Sequence, residues 1–164
     1  MKNKVILAAI FSIPTTFAAY AQTSDAEAEA MANLLGVQKK EIIMKLVPVS
    51  GKDSIAFWKL YNEYQQKNNA MAKDRIQLYE KTALSYNKMS PALADSFAKK
   101  YFVNRGSLEN MLEEYYNKIK AATNAVVAFE FYQAETYLLT ELRHIIMQQI
   151  PTYGEFHSAV KKRE

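Results

Sequence analysis

A seven-residue apolar repeat between positions 97 and 119 constrains the fold of this chain more than any other feature. Such spacing is typical of helices that pack along their whole length. No segment alternates polar and apolar residues for long enough to form a strand. The sequence therefore predicts an all-α fold with coiled-coil-like packing. The repeat, at spacings of four and three, is Phe97, Tyr101, Asn104, Leu108, Met111, Tyr115 and either Lys118 or Ile119.

Sparse glycine, proline and capping residues divide the chain into long helices. Residues Asp25 to Leu46 predict a first helix, which the segment 47–51 ends. Asp53 is expected to cap a second helix that runs to about Tyr86. These two elements precede the apolar repeat.

The third helix has the clearest start. Ser90 is a favourable N-cap, and Pro91 follows at a position where a missing N–H costs nothing. This helix is expected to reach about Ala122, and a fourth to run from about Asn124 to Gln149, either separately or through a bend. The short turn before Pro91 makes the second and third helices antiparallel neighbours.

One such hairpin leaves apolar surface uncovered, so the first helix, the fourth helix or a second subunit must cover it. We expect an elongated hairpin or bundle of three to four long helices, with completion by dimerisation as one route. The predicted organisation is a signal peptide (1–21), an N-terminal helix and linker (22–52), a helical domain (53–151) and a basic tail (152–164).

The first 21 residues have the pattern of a secretory signal peptide. Lys2 and Lys4 precede an apolar stretch from Val5 to Ile13, and small residues flank Tyr20 before the expected cleavage after Ala21. The apolar run is shorter than the roughly 20 residues of a membrane span. We expect an exported, periplasmic or otherwise secreted chain, without membrane insertion after cleavage. It has no cysteine and therefore no disulfide.

Charge and motifs exclude several classes of function. Removing Lys2 and Lys4 from 21 basic residues leaves 19 against 17 acidic ones, a net charge of +2, which gives little support to nucleic-acid binding. There is no Gly-rich phosphate loop and no recognisable nucleophile motif. The sequence predicts a non-enzymatic protein with no cofactor.

Aromatic residues offer either packing or partner contact. The residues interpreted as the structural seam are Tyr61, Phe97, Tyr101, Leu108, Met111, Tyr115 and Phe131. We expect seam tyrosines to keep the hydroxyl in water. Off-seam aromatics and a flexible methionine suit contact with other proteins. The candidate client-binding residues are Trp58, Tyr64, Met71, Tyr116 and Tyr137.

One pair suggests metal chemistry weakly. Glu141 and His144 are three residues apart on one predicted helix face, as in helical di-metal sites. Those sites need a second such pair, and the sequence offers none. We therefore predict no metal site and keep Glu141 and His144 only as weak candidates.

Several motifs resemble a known family. These are the aromatic string from Phe57 to Tyr64, the segments from Tyr86 to Ser90 and from Phe131 to Glu135, and the close at Gln149–Pro151. Together they resemble Spy/CpxP-like exported bacterial helical proteins, a group often described as sensors of extracytoplasmic-function sigma factors. This chain departs from the family pattern at Glu130, where an arginine is common. The resemblance implies an often dimeric envelope protein that binds unfolded chains or reports envelope stress.

The functional hypothesis is therefore an exported helical protein that binds unfolded or envelope proteins without ATP, as a chaperone-like or stress-response accessory and as a homodimer. Two alternatives stay open. One is a periplasmic sensor or regulatory domain, in which metal or ligand occupancy would act on a membrane-protein partner. The other is a structural dimer without a client.

Overall fold

The computed structural model describes the backbone of residues 25–148 and the side chains of residues 36–144. In that range the chain forms four α-helices, which confirms the all-α prediction. The predicted signal peptide and basic tail lie outside the described residues. The helices are α1 (Asp25–Leu46), α2 (Gly51–Ser85), α3 (Pro91–Ala122) and α4 (Ala125–Gln148), with a 3-10 turn (Tyr86–Lys88) after α2.

The predicted start of α3 is confirmed. The Ser90 hydroxyl accepts a hydrogen bond from the backbone N–H of Leu93 at 3.2 Å, and Pro91 opens the helix. The junction with α4 is a true break and not a bend in one helix. The Asn124 side-chain oxygen accepts from the backbone N–H groups of Val126 and Val127 at 2.9 and 3.1 Å, so it caps a new helix.

The start of α2 differs from the prediction. The helix begins at Gly51, with Ser50 at the N-cap position, so the expected cap Asp53 lies inside the first turn. Gly51 has φ +56°, a left-handed conformation that glycine adopts without the steric cost that other residues incur. This glycine lets the chain reverse sharply and start the helix earlier than the side-chain pattern indicated.

The four helices run alternately up and down. Between α2 and α3, Lys67 bonds Glu114 near the middle, while Thr82 lies beside Tyr101 near the turn, which is an antiparallel arrangement. α1 packs on α2 and α4, and α4 packs on α3. The first and fourth helices thus cover much of the α2–α3 hairpin.

The main core lies where all four helices meet. It contains the fully buried side chains Ile43, Phe57, Ile119 and Phe131. A smaller buried group lies closer to the α2–α3 turn and comprises Leu78, Tyr79 and Phe97. We call the first region the four-helix end and the second, residues 77–102, the hairpin tip.

Helix length explains why these regions differ. α2 has 35 residues and α3 has 32, against 22 and 24 for α1 and α4. At 1.5 Å per residue, the hairpin exceeds the described length of α1 or α4 by about 12–20 Å. The hairpin tip therefore projects beyond them. No helix among residues 25–148 is long and apolar enough to cross a bilayer.

Candidate functional site

The aromatic string at the start of α2 forms the centre of the protein. Phe57, Tyr61 and Tyr64 are fully buried. The Tyr64 ring lies 5.5 Å from the ring of Tyr115 and 5.3 Å from that of Phe131, both in edge-to-face geometry. Such pairs stabilise a core beyond the area they bury. We call these five residues the aromatic core.

A carboxylate is buried within this aromatic core. Glu135 is fully buried, and its Oε2 accepts a 2.6 Å hydrogen bond from the Tyr64 hydroxyl. Tyr61 donates to Oε1 at 3.3 Å, and the Lys39 ammonium lies 2.6 Å from Oε2. Three helices therefore contribute to one polar cluster, which we call the Glu135 network: Glu135, Lys39, Tyr61 and Tyr64.

Burial shifts the proton equilibria of this network. It lowers the pKa of Lys39, an effect that the adjacent Glu135 carboxylate opposes. Burial, together with the negative charge of Glu135, raises the pKa of both Tyr61 and Tyr64 above the ordinary tyrosine value. Both phenols consequently stay protonated at neutral pH and act as hydrogen-bond donors to Glu135.

A second cation lies close to the network. Burial lowers the pKa of Arg75, and the negative charge of Glu135 opposes this shift. The Nη1 atom of Arg75 is buried and has no hydrogen-bond partner. Arg75 therefore adds positive potential beside the buried carboxylate.

Polar contacts fix the register of α1 on α2. Gln65 donates from Nε2 to the backbone carbonyl of Gly36 at 3.0 Å, and Lys40 donates to Asn62 at 2.8 Å. A Cβ at Gly36 would lie only 3.1 Å from Oδ1 of Asn69. Gly36 therefore permits α1 to approach α2 closely. Lys39, one turn further along α1, extends into the Glu135 network.

Most residues of the predicted structural seam are buried in the structure. Of its residues, Tyr61, Phe97, Met111, Tyr115 and Phe131 are buried, while Tyr101 and Leu108 are half-buried. Ile119 rather than Lys118 continues the repeat into the core. The expectation that seam tyrosines keep their hydroxyls in water is wrong for Tyr61, because that hydroxyl donates to buried Glu135.

The predicted client-binding residues do not form one surface. Tyr64 was assigned to it wrongly, since it is fully buried in the aromatic core. Trp58, Met71 and Tyr116 are half-buried and pack against the main core. Only Tyr137 of the five is exposed, at 45%. Sequence spacing placed Tyr64 off the seam of one helix pair, but a third helix covers it.

Two consecutive large apolar residues on α3 are mostly exposed. Phe102 and Val103 are adjacent on α3, with exposures of 74% and 69%. Val103 also lines an open groove of about 430 Å³ between α2 and α3. We call this the α2–α3 groove. Its lining residues are Met71, Asp74, Gln77, Leu78, Lys81, Lys99, Lys100, Val103, Asn104 and Ser107.

The sequence analysis did not identify this groove or the Glu135 network. A signal for the network existed, because Glu135 lies four residues after Phe131 and three before Leu138, on the apolar face of α4. A carboxylate on such a face needs a buried partner. Nothing local in the sequence indicated that Lys39 would be that partner.

The weak metal pair gains no further ligand. Glu141 is half-buried and His144 is exposed. No group of three or more His, Cys, Asp or Glu side chains with metal-binding geometry occurs in the part of the chain that the structure describes. Glu141 and His144 therefore carry no argument for function.

Comparisons with known proteins return no match: no protein-family model, curated protein or solved structure is significantly similar to this chain.

Proposed function

We propose that this protein is an exported, non-enzymatic helical bundle that binds other proteins through exposed apolar side chains beside lysines, in the manner of an ATP-independent chaperone or envelope stress-response accessory. The observation that carries the proposal is the exposed Phe102–Val103 pair next to Lys99 and Lys100 on α3. An isolated exposed apolar residue is ordinary on a protein surface. Here two consecutive apolar residues are mostly exposed, and one of them, Val103, lines the groove between α2 and α3, which favours partner contact.

The buried centre of the protein supports the assignment of partner contact to the hairpin. The Glu135 network and the aromatic core are enclosed by helices and have no exposed aromatic face for a client. The contact surface is therefore assigned to the hairpin, while the four-helix end provides rigid support. Export is part of the proposal and rests on the signal-peptide pattern of residues 1–21.

Suppression of aggregation tests this function directly. Light scattering from a chemically unfolded test protein is followed with and without the chain from Gln22 onward. We expect suppression near a stoichiometric ratio. The variant with Phe102→Ser and Val103→Ser should need about tenfold more protein for the same suppression, equivalent to about 1.4 kcal/mol of binding free energy.

A matched variant controls for the general loss of exposed apolar area. Val126→Ser with Phe129→Ser removes two exposed apolar side chains from α4, whose exposures are 66% and 54%. This variant should suppress aggregation as the unmodified protein does. Absence of suppression by the unmodified protein would refute the proposed function. Equal losses in both variants would refute the assignment to α3.

A further inference from the structure

The lining of the α2–α3 groove is long enough to contact two to three turns of a helix. Its lining extends from Met71 to Lys81 on α2 and from Lys99 to Ser107 on α3. At 1.5 Å per residue these stretches are about 12–15 Å long, equal to between two and three helical turns. The groove is open to solvent, so an occupant can reach it without entering a closed cavity.

The spacing of the lining residues suits a third helix. On α2, Met71, Asp74, Leu78 and Lys81 recur at intervals of three and four residues. On α3, Lys100, Val103 or Asn104, and Ser107 do the same. Two helices with this spacing present holes into which the side chains of another helix can insert at positions i, i+3 or i+4, and i+7.

The charges around the groove select an acidic occupant. Three lysines line it against one carboxylate, that of Asp74. Lys99 is already 2.6 Å from Asp95 of its own helix. Lys81 and Lys100 are exposed on opposite walls, one on each helix. Carboxylates flanking the apolar stripe of a bound helix would lie near these two ammonium groups.

The α3 side of the groove presents exposed apolar surface. Val103 lies in the lining and is 69% exposed.

We propose that the α2–α3 groove is the docking site for a short acidic amphipathic helix of a partner protein. This inference rests on the proposed function and specifies the chemistry of the partner. Leucine-like side chains would fill the space between Met71, Leu78 and Val103, and glutamates at the edge would contact Lys81 and Lys100. Binding by this mode requires no change in the four-helix end.

A fluorescently labelled peptide of about 18 residues, with leucine and glutamate at amphipathic helical spacing, is the probe. Its fluorescence anisotropy is titrated with the chain from Gln22 onward, and a leucine–lysine peptide with the same spacing is the control. We expect saturable binding of the acidic peptide only, weakened at high ionic strength. Equal binding of both peptides, or no binding of the acidic one, would overturn the proposal.

Charge reversal locates the site. Lys81→Glu with Lys100→Glu should weaken peptide binding by about tenfold or more, through loss of attraction and added repulsion. Lys52→Glu with Lys59→Glu makes the same charge change at exposed positions at the other end of α2, and should leave binding within about twofold. Equal weakening in the two variants would overturn the assignment to the groove. Far-UV circular dichroism confirms that both variants remain helical.

The aggregation and peptide-binding results together, and one further measurement, separate this inference from its alternatives. If the unmodified chain suppresses aggregation but does not bind the acidic peptide, the inference fails and the proposed function stands. If it binds the peptide without suppressing aggregation, the groove assignment stands and the chaperone-like function fails. Sedimentation over a concentration range tests a second copy as occupant: self-association abolished by the Lys81 and Lys100 reversal would overturn the choice of a foreign partner.

Discussion

Lysines occur beside apolar residues both at the four-helix end and at the hairpin tip, but Lys39 is buried in the first region whereas Lys81 and Lys100 are exposed in the second. At the four-helix end, lysine, tyrosine and glutamate are enclosed together, and Lys39 contacts a single buried carboxylate. At the groove, Lys81 and Lys100 line an open apolar surface. The number of helices that surround each residue decides the difference. Four helices exclude water from the Glu135 network, whereas two helices leave one face of the hairpin open.

Removal of the buried carboxylate should have the largest effect on the four-helix end. Glu135→Leu leaves the Lys39 ammonium buried without its counter-ion, so we expect a loss of about 3–5 kcal/mol in the free energy of unfolding. Urea denaturation followed by circular dichroism measures it. Adding Lys39→Met should restore most of the loss, because an apolar pair replaces the ion pair. An unchanged midpoint for Glu135→Leu would show that the network does not support the core.

The exposed ion pairs of Glu114 can be compared with the buried pair of Glu135. Glu114 contacts Lys67 and Lys118 on the surface, at 3.2 and 2.6 Å. Hydrogen bonds from Lys118 and Lys67 lower the pKa of Glu114. Because these groups are exposed to water, Glu114→Leu should change stability far less than Glu135→Leu. Similar losses in both variants would remove the distinction between buried and exposed pairs.

High pH should destabilise the four-helix end next most strongly. The pKa of Tyr61 and Tyr64 is raised in the folded state, so above about pH 10 the unfolded chain releases protons that the folded chain retains. The free energy of unfolding should then fall by about 2.7 kcal/mol per pH unit for the two groups. The pKa of Lys39 is lowered in the folded state, so this group makes the free energy of unfolding rise with pH. That opposing effect ends above its unfolded pKa of 10.5.

Urea titrations between about pH 9 and about pH 11 test this dependence, a window that brackets the tyrosine pKa. A variant with Tyr61→Phe and Tyr64→Phe lacks both phenols and should lose most of the alkaline decline. If the variant declines as steeply as the unmodified protein, other groups control alkaline unfolding.

Substitution of two glycines by alanine should give the smallest changes in the free energy of unfolding. Gly106→Ala on the open face of α3 should stabilise the protein by about 0.5–1 kcal/mol, because alanine favours the helix and nothing obstructs its Cβ. Gly36→Ala should give a smaller gain or a loss, since its Cβ would lie 3.1 Å from Oδ1 of Asn69 and 3.3 Å from Nε2 of Gln65. Thermal unfolding of both variants measures the difference. The reverse order would contradict the close packing of α1 on α2.

Local signals predicted the helices well, since the residues that start and stop a helix act within one turn. α1 was predicted with the observed bounds, and the Ser90–Pro91 start of α3 was correct. The start of α2 was displaced because Asp53 is also a suitable cap, and a left-handed Gly51 decided between the two. The pattern alone did not contain that backbone angle.

The site was less predictable, because burial depends on helices far apart in the sequence. Periodicity within α3 correctly identified Tyr115 as packing, yet Tyr64 was assigned to the surface. Tyr64 is covered by α4, whose Glu135 is 71 residues away in the chain. The exposed pair Phe102–Val103 was missed for the converse reason. Both are apolar, and no helix among residues 25–148 covers either side chain, so they remain in contact with solvent.

The sequence by itself determined the type and approximate bounds of the helices, since heptad spacing, caps and turns are short-range properties of the chain, whereas the structure showed that the last two helices are separate. Only the tertiary structure decided which apolar and charged residues are enclosed and which remain available. The physical reason is that solvent exclusion is set by the contact of whole helices. Lys39 is thereby joined to Glu135 in a dry core, while Lys81 and Lys100 flank an open groove.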